Sequence, residues 1–183
     1  MLKGRKLIIY TVGHSTRSLD DLVAILRAHG VKRVVDVRTI PRSRHNPQFN
    51  RETLSKALHN RHLSYRHMKS LGGLRHAGPN SINIGWRNAS FRGFADYMQT
   101  PPFAVALERL LILAEQKPTA IMCAEAVPWR CHRSLIADAL TARGYQVRDI
   151  MSVTSAKLHR LTPMAQIRRQ QVTYPADAAS AEI

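Results

Sequence analysis

Two short segments near the middle of the C-terminal half carry the most reactive residue types: Cys123-Ala124-Glu125, then Pro128-Trp129-Arg130-Cys131-His132-Arg133. The flanking pattern predicts that Cys123 ends a strand and Cys131 opens a helix. Backbone amides there, together with Arg130 and Arg133, would lower a thiol pKa and attract anions. A c-type haem is excluded, because Cys-x-x-Cys-His needs a further cysteine. A phosphatase-like loop fits poorly, since the interval from Cys123 to Arg130 is one residue too long and lacks glycine. Zinc held by both cysteines and a histidine is disfavoured, because helical neighbours such as Cys131 and His132 point about 100° apart. Three readings stay open. Cys123 and Cys131 form a redox pair or supply a nucleophile helped by His132. Glu125, His132 and Arg133 bind ligand without thiol chemistry. Or the residues are structural, with buried cysteines and a Glu125–Arg133 pair.

Three further segments are candidates for the same site. Gly13-His14-Ser15-Thr16-Arg17 follows an apolar run; glycine permits a sharp exit, and free amides beside polar side chains suit an anion at a helix start. Ser15 and Thr16 also fit simple turn and capping bonds. Asp36-Val37-Arg38 ends a second apolar run and precedes Pro41, Arg42, Ser43, Arg44, His45, Asn46, Pro47 and Phe49. Burying Asp36 requires a partner, whether Arg38, His14 or a ligand hydroxyl. Clustered arginine with Ser, Asn and Phe suits phosphate and base recognition, and equally fits solvated charge. The last segment holds Tyr65, His67, Leu71-Gly72-Gly73, Arg75, His76, Trp86, Arg87 and Asn88, aromatics and arginines that could stack bases or simply pack under a loop.

The elements that must position these residues alternate strand and helix. Strands are predicted at Lys6–Val12, Val31–Arg38, Ser64–Met68, Thr119–Cys123 and, last, Tyr145–Met151, from β-branched and apolar runs. Helices are predicted after Ser18, an N-cap followed by Asp20 and Asp21, and at about Arg51–His59, Phe91–Gln99, Phe103–Lys117 and Cys131–Arg143. Residues 74–90 have no periodicity and read as a long functional or mobile loop. The fold class is α/β: one three-layer αβα domain over about 1–175, with a mostly parallel sheet and its ligand site at the carboxyl ends of the strands. The tail after about Ala176 is expected to be disordered.

Composition limits the function classes. The 183 residues carry 28 Lys+Arg against 12 Asp+Glu, a formal charge of +16, and a hydrophobic fraction of 44% that excludes wholesale disorder. The surplus is not a tail: residues 1–100 hold 18 basic and 5 acidic side chains, residues 101–183 hold 10 and 7. An anionic partner is the first expectation. No apolar run approaches the ~18 residues that span a bilayer, so no membrane role is expected. Two cysteines are too few for a secreted disulfide scaffold, which points to a cytoplasmic location.

Taken in order, the motifs resemble one family, the domain of unknown function 488. They are Gly13–Thr16; Asp36-Val37-Arg38 with Pro41, Ser43, Pro47 and Phe49; Leu71-Gly72-Gly73; Cys123-Ala124-Glu125; and Cys131-His132-Arg133. Gly85-Trp86-Arg87-Asn88, the stretch from Phe91 to Met98, and His159 with Leu161-Thr162-Pro163 extend the resemblance, which runs from about residue 6 to 175. It implies a shared α/β fold and a shared pocket, and no particular reaction.

The functional expectation is a basic pocket that binds, and could process, a phosphate-bearing ligand, a nucleotide or nucleic acid. Its ligand-binding residues would be His14, Ser15, Thr16, Arg38, Arg42, Arg44, Tyr65 and Arg133, with Arg38 and Arg133 as anion clamps. Glu125 or Asp36 would act as base and His132 as acid. The alternatives are a non-catalytic nucleic-acid binder with residues 1–100 as its footprint, and cysteine-based redox or metal chemistry at Cys123 and Cys131. No cofactor and no metal ligands are assigned, and a homo-oligomer is left open.

Overall fold

The computed structural model describes residues 7–176. β1 (Ile8–Gly13) leads to α1 (Leu19–Ala28), which opens on a capping box: the Asp21 amide donates to the Ser18 hydroxyl at 3.0 Å, and the Ser18 amide and hydroxyl donate to the Asp21 carboxylate. β2 (Arg33–Asp36), α2 (Arg51–His59) and β3 (Ser64–His67) follow. After a long connection come α3 (Ala89–Tyr97), α4 (Pro101–Gln116), β4 (Thr119–Cys123), α5 (Arg133–Ala142) and β5 (Gln146–Ser152). Pro101 and Pro102, predicted to separate two helices, form the first turn of α4, where a missing N–H costs nothing.

The sheet has the order β3-β2-β4-β1-β5-β6, in which the first five strands run parallel and β6 (Ser155–Leu158) returns antiparallel to β5. Side chains alternate across it, as the two-residue period of a strand requires. Val12, Val34, Ala120, Met122 and Ile150 pack with α1 and α2 on one face. Ile9, Val35, Ile121 and Val147 pack with α3, α4 and α5 on the other. This is the predicted three-layer αβα architecture.

The chain does not end its regular structure at β5. Besides β6, a hairpin of β7 (Gln166–Arg168) and β8 (Gln171–Thr173) covers part of the second face, burying Val172 and Tyr174. These strands are three or four residues long, too short for alternation to show. The hairpin turn uses Arg169 and Gln170 at φ 47° and 70°, so it carries none of the Asn-Gly signal such turns usually show. The connection before α3 is irregular but anchored. Asp96 of α3 accepts the Gly78 amide, the Ser81 hydroxyl and the Asn83 amide group at 2.6–2.9 Å, and these bonds hold its carboxyl below the usual range against the opposing effect of burial. The tail expected to be disordered from about Ala176 lies outside the described residues beyond that position. Among the described residues, no helix is long and apolar enough to cross a membrane.

The strand order fixes where a site can form. The chain leaves β1 and β2 toward the β3 edge through α1 and α2 on one face, but leaves β4 toward β5 through α5 on the other. β4 is therefore flanked by two strands whose outgoing connections run the opposite way. The loops beyond its carboxyl end part and leave a crevice, as at the switch point of other open α/β sheets.

Candidate functional site

The crevice begins where β1 and β4 end, with Gly13 opposite Cys123. Their exit loops stay paired past the sheet: the His14 amide donates to the Cys123 carbonyl at 3.0 Å, and the Ser15 amide to that of Ala124 at 2.8 Å. The approach is so close that a Cβ on Gly13 would lie 1.8 Å from the Glu125 carbonyl oxygen. Beyond this point the loops open around a cavity of about 700 Å³.

Its floor is a cysteine–histidine trio. Cys123 and Cys131 are 8% and 3% exposed, neither is in a disulfide, and His132 is half-buried between them and the Leu71–Gly73 turn. His132 Nδ1 lies 4.0 Å from Cys123 Sγ and 3.7 Å from Cys131 Sγ. The predicted helical start at Cys131 is not what forms. Cys131 is not the start of α5; it closes a 3₁₀ turn over Pro128–Arg130 in extended backbone, φ −137° and ψ 141°, while His132 caps the helix. The two side chains are thus freed from the 100° helical step and converge. The Cys131 thiol is lowered to about 7, chiefly by the neighbouring Cys123 thiol, with the Arg133 charge and N–H assisting against burial. The Cys123 thiol is pushed up by the same neighbour and by its burial.

One wall is a chain of bonds in which every charged group has a partner. Tyr65 donates its hydroxyl to Asp36 at 2.7 Å. Arg38 donates Nε and Nη2 to the two Asp36 oxygens at 2.9 and 2.6 Å, Nη2 also to the Phe49 carbonyl, and Nη1 to His14 Nε2 at 3.2 Å. His14 in turn donates Nδ1–H to the Ser15 carbonyl at 2.8 Å and stacks on Phe49. Burial lowers the His14 pKa to about 4, so the ring is neutral near pH 7. Burial beside the Asp36 carboxylate pushes the Tyr65 hydroxyl up. His14 and Arg38 line the crevice; Asp36 and Tyr65 do not. Asp36 is fully buried behind Arg38, where it orients the guanidinium and has no path to a ligand.

Arg133 also sits elsewhere than a ligand clamp would. It is 1% exposed and donates to the backbone carbonyls of Glu125 and Ala126 at 2.6 and 3.0 Å, which ties the loop after β4 to the start of α5. The Glu125 side chain is exposed at the rim with Ser15, Thr16 and Arg42, while Arg44 lies outside the lining. Two residues matter more than the sequence alone suggests. Arg130 lines the crevice and is exposed. Gly73 packs on the imidazole so closely that a Cβ there would meet His132 Nδ1 at 2.5 Å. The Leu71-Gly72-Gly73 motif was the only signal of that contact.

Neither a curated protein nor a solved structure matches the chain. A family model does, over residues 18–140, a span that holds Asp36, Arg38, Gly73, both cysteines and His132. With the motifs converging on one crevice and two thirds of the chain covered, the protein belongs to the family described as Domain of unknown function DUF488.

Proposed function

We propose that the crevice binds a small phosphate-bearing ligand, a nucleotide or a related anion, and that any chemistry performed on it comes from the cysteine–histidine floor. The observation that carries this reading is the pairing of Arg42 and Arg130. They belong to different loops, line the same crevice and are exposed, and neither guanidinium has a hydrogen-bond or ion-pair partner among the described residues. Hydroxyls of Ser15, Thr16 and Ser90 share the lining, which suits phosphate oxygens. The acid–base set expected from the sequence supports catalysis less well. Asp36 is sealed off, and His132 uses its Nε2–H within the fold.

Nucleic acid is a second reading, favoured by a separate basic cleft along the β3 edge, where Arg33, Arg51, Lys56, Arg66 and Lys117 gather. One set of titrations addresses both. Calorimetry with pyrophosphate and nucleoside phosphates should show saturable binding that Arg42→Ala and Arg130→Ala each weaken about tenfold, the loss of one charge-assisted hydrogen bond. Unchanged affinity in the double variant would remove the crevice reading. Oligonucleotide affinity that falls steeply with salt and ignores both substitutions would place binding on the edge cleft instead.

A further inference from the structure

We propose that Cys123, Cys131 and His132 form a zinc site with one open coordination position facing the crevice. The three ligand atoms, two Sγ and the His132 Nδ1, all lie within 4.8 Å of one another. Bond lengths of about 2.3 Å to sulfur and about 2.0–2.1 Å to nitrogen put tetrahedral S···N edges at about 3.6 Å and S···S edges at about 3.8 Å. The Cys131–His132 and Cys123–His132 separations, 3.7 and 4.0 Å, are within a few tenths of that edge.

The histidine is already set as a ligand. Its Nε2 lies 3.1 Å from the Val37 carbonyl and 3.0 Å from the Leu71 carbonyl, and only an N–H can serve two carbonyl oxygens. The proton is therefore on Nε2, and Nδ1 presents a bare lone pair toward both sulfurs. Backbone carbonyls holding the far nitrogen of a ligating histidine are the usual outer partners of a metal site. Phe94 packs edge-on against the ring at 5.0 Å between centroids and fixes its plane. Glycine at 73 lets the chain pack directly on the imidazole and hold it in place, since a Cβ there would meet its Nδ1 and Cγ at 2.5 and 2.6 Å.

Two thiolates and an imidazole are a soft to borderline donor set, which selects zinc over magnesium or calcium. Three protein ligands with a fourth position open distinguish a reactive zinc from a structural one. All three ligands and Gly73 line the crevice, so the open position faces it. The metal would act there as a Lewis acid toward whatever the crevice holds. The inference does not depend on that ligand being a phosphate.

The test uses the full chain, reduced, stripped with a chelator and titrated with Co(II) alone, then with Zn(II). One equivalent of Co(II) should bind, with thiolate-to-metal charge-transfer bands in the near ultraviolet and the intense visible bands of tetrahedral cobalt, and one equivalent of Zn(II) should displace it. Cys123→Ser and Cys131→Ser should each lower the charge-transfer intensity and weaken binding at least tenfold, with far-UV circular dichroism unchanged. Gly73→Ala, which removes no ligand atom, should weaken it as well. The wild-type titration can overturn the proposal by itself. Reduced protein that takes up no equivalent of either metal, or a cobalt spectrum without thiolate bands, would each do so. Metal uptake without pyrophosphate binding would leave this site standing and sink the ligand reading; the converse would do the reverse.

Discussion

His159 should make stability fall as the pH rises above neutrality. The residue is 8% exposed and lies between two carboxylates, with Nδ1 2.9 Å from Asp149 and Nε2 2.9 Å from Asp138. Asp138 is fully buried and also accepts the Thr162 amide and hydroxyl and the Tyr174 hydroxyl; Asp149 also accepts the Thr11 hydroxyl. Burial pulls the imidazole pKa down, but the bonds to the two carboxylates outweigh it and hold the pKa at about 9, against 6.5 for a free histidine. Because the folded value lies above the unfolded one, the contribution is fully present below pH 6.5 and is lost as the pH rises through 9. At about 1.4 kcal/mol per pH unit, the interval from 6.5 to 9 is worth at most ~3.5 kcal/mol. Urea unfolding at 25 °C, followed at pH 6, 7.5 and 9.5, reads this directly. His159→Gln should be less stable at pH 6 by roughly 3 kcal/mol, since two buried carboxylates lose their cation, and should lack the wild-type slope between pH 6.5 and 9. The difference between the two proteins isolates His159 from other groups that titrate in that range. Identical slopes, or wild-type stability that rises toward pH 9, would refute the charged state assigned to the ring.

Two further outcomes follow from close contacts. Gly13→Ala puts a methyl 1.8 Å from the Glu125 carbonyl oxygen, against backbone that is itself bonded, so it should cost at least ~2 kcal/mol, read as a Tm drop of about 5 °C or more. Asp96→Ala removes three anchors of the segment before α3, and limited proteolysis should shift to residues 74–88 while the far-UV circular dichroism stays near wild type.

The sequence made the frame of the molecule readable where chemistry is local. Ser18 and Asp21 announce a helix start within four residues, α2 runs over the predicted Arg51–His59, and β4 is the predicted five-residue strand, buried throughout. The candidate site was legible as residue types but not as contacts. Arg38 and Arg133 looked alike, yet one ends on a carboxylate and a histidine, the other on two backbone carbonyls. Long flexible side chains do not announce their endpoints. The geometry of Cys131 was hidden for a different reason. Pro128 draws the chain into a 3₁₀ turn that delays α5 by two residues, and that small offset decides whether the two cysteines and His132 meet. Asp96, one of only five acidic residues in the first 100, gave no hint that it holds a loop some 15 residues upstream.

The central place of β1 also sets an order of events in folding. It pairs only with β4 and β5, and Ile9 meets Thr119 at a sequence separation of 110. During synthesis β1 therefore has no sheet partner until β4 and β5 have followed it. Contacts at such separation slow folding and leave an apolar strand exposed in the interval. The crevice, built on the junction of β1 with β4, cannot exist before β4 has been made. A ribosome-bound chain that ends before residue 119 has every loop arginine of the first half and none of the cysteine–histidine floor.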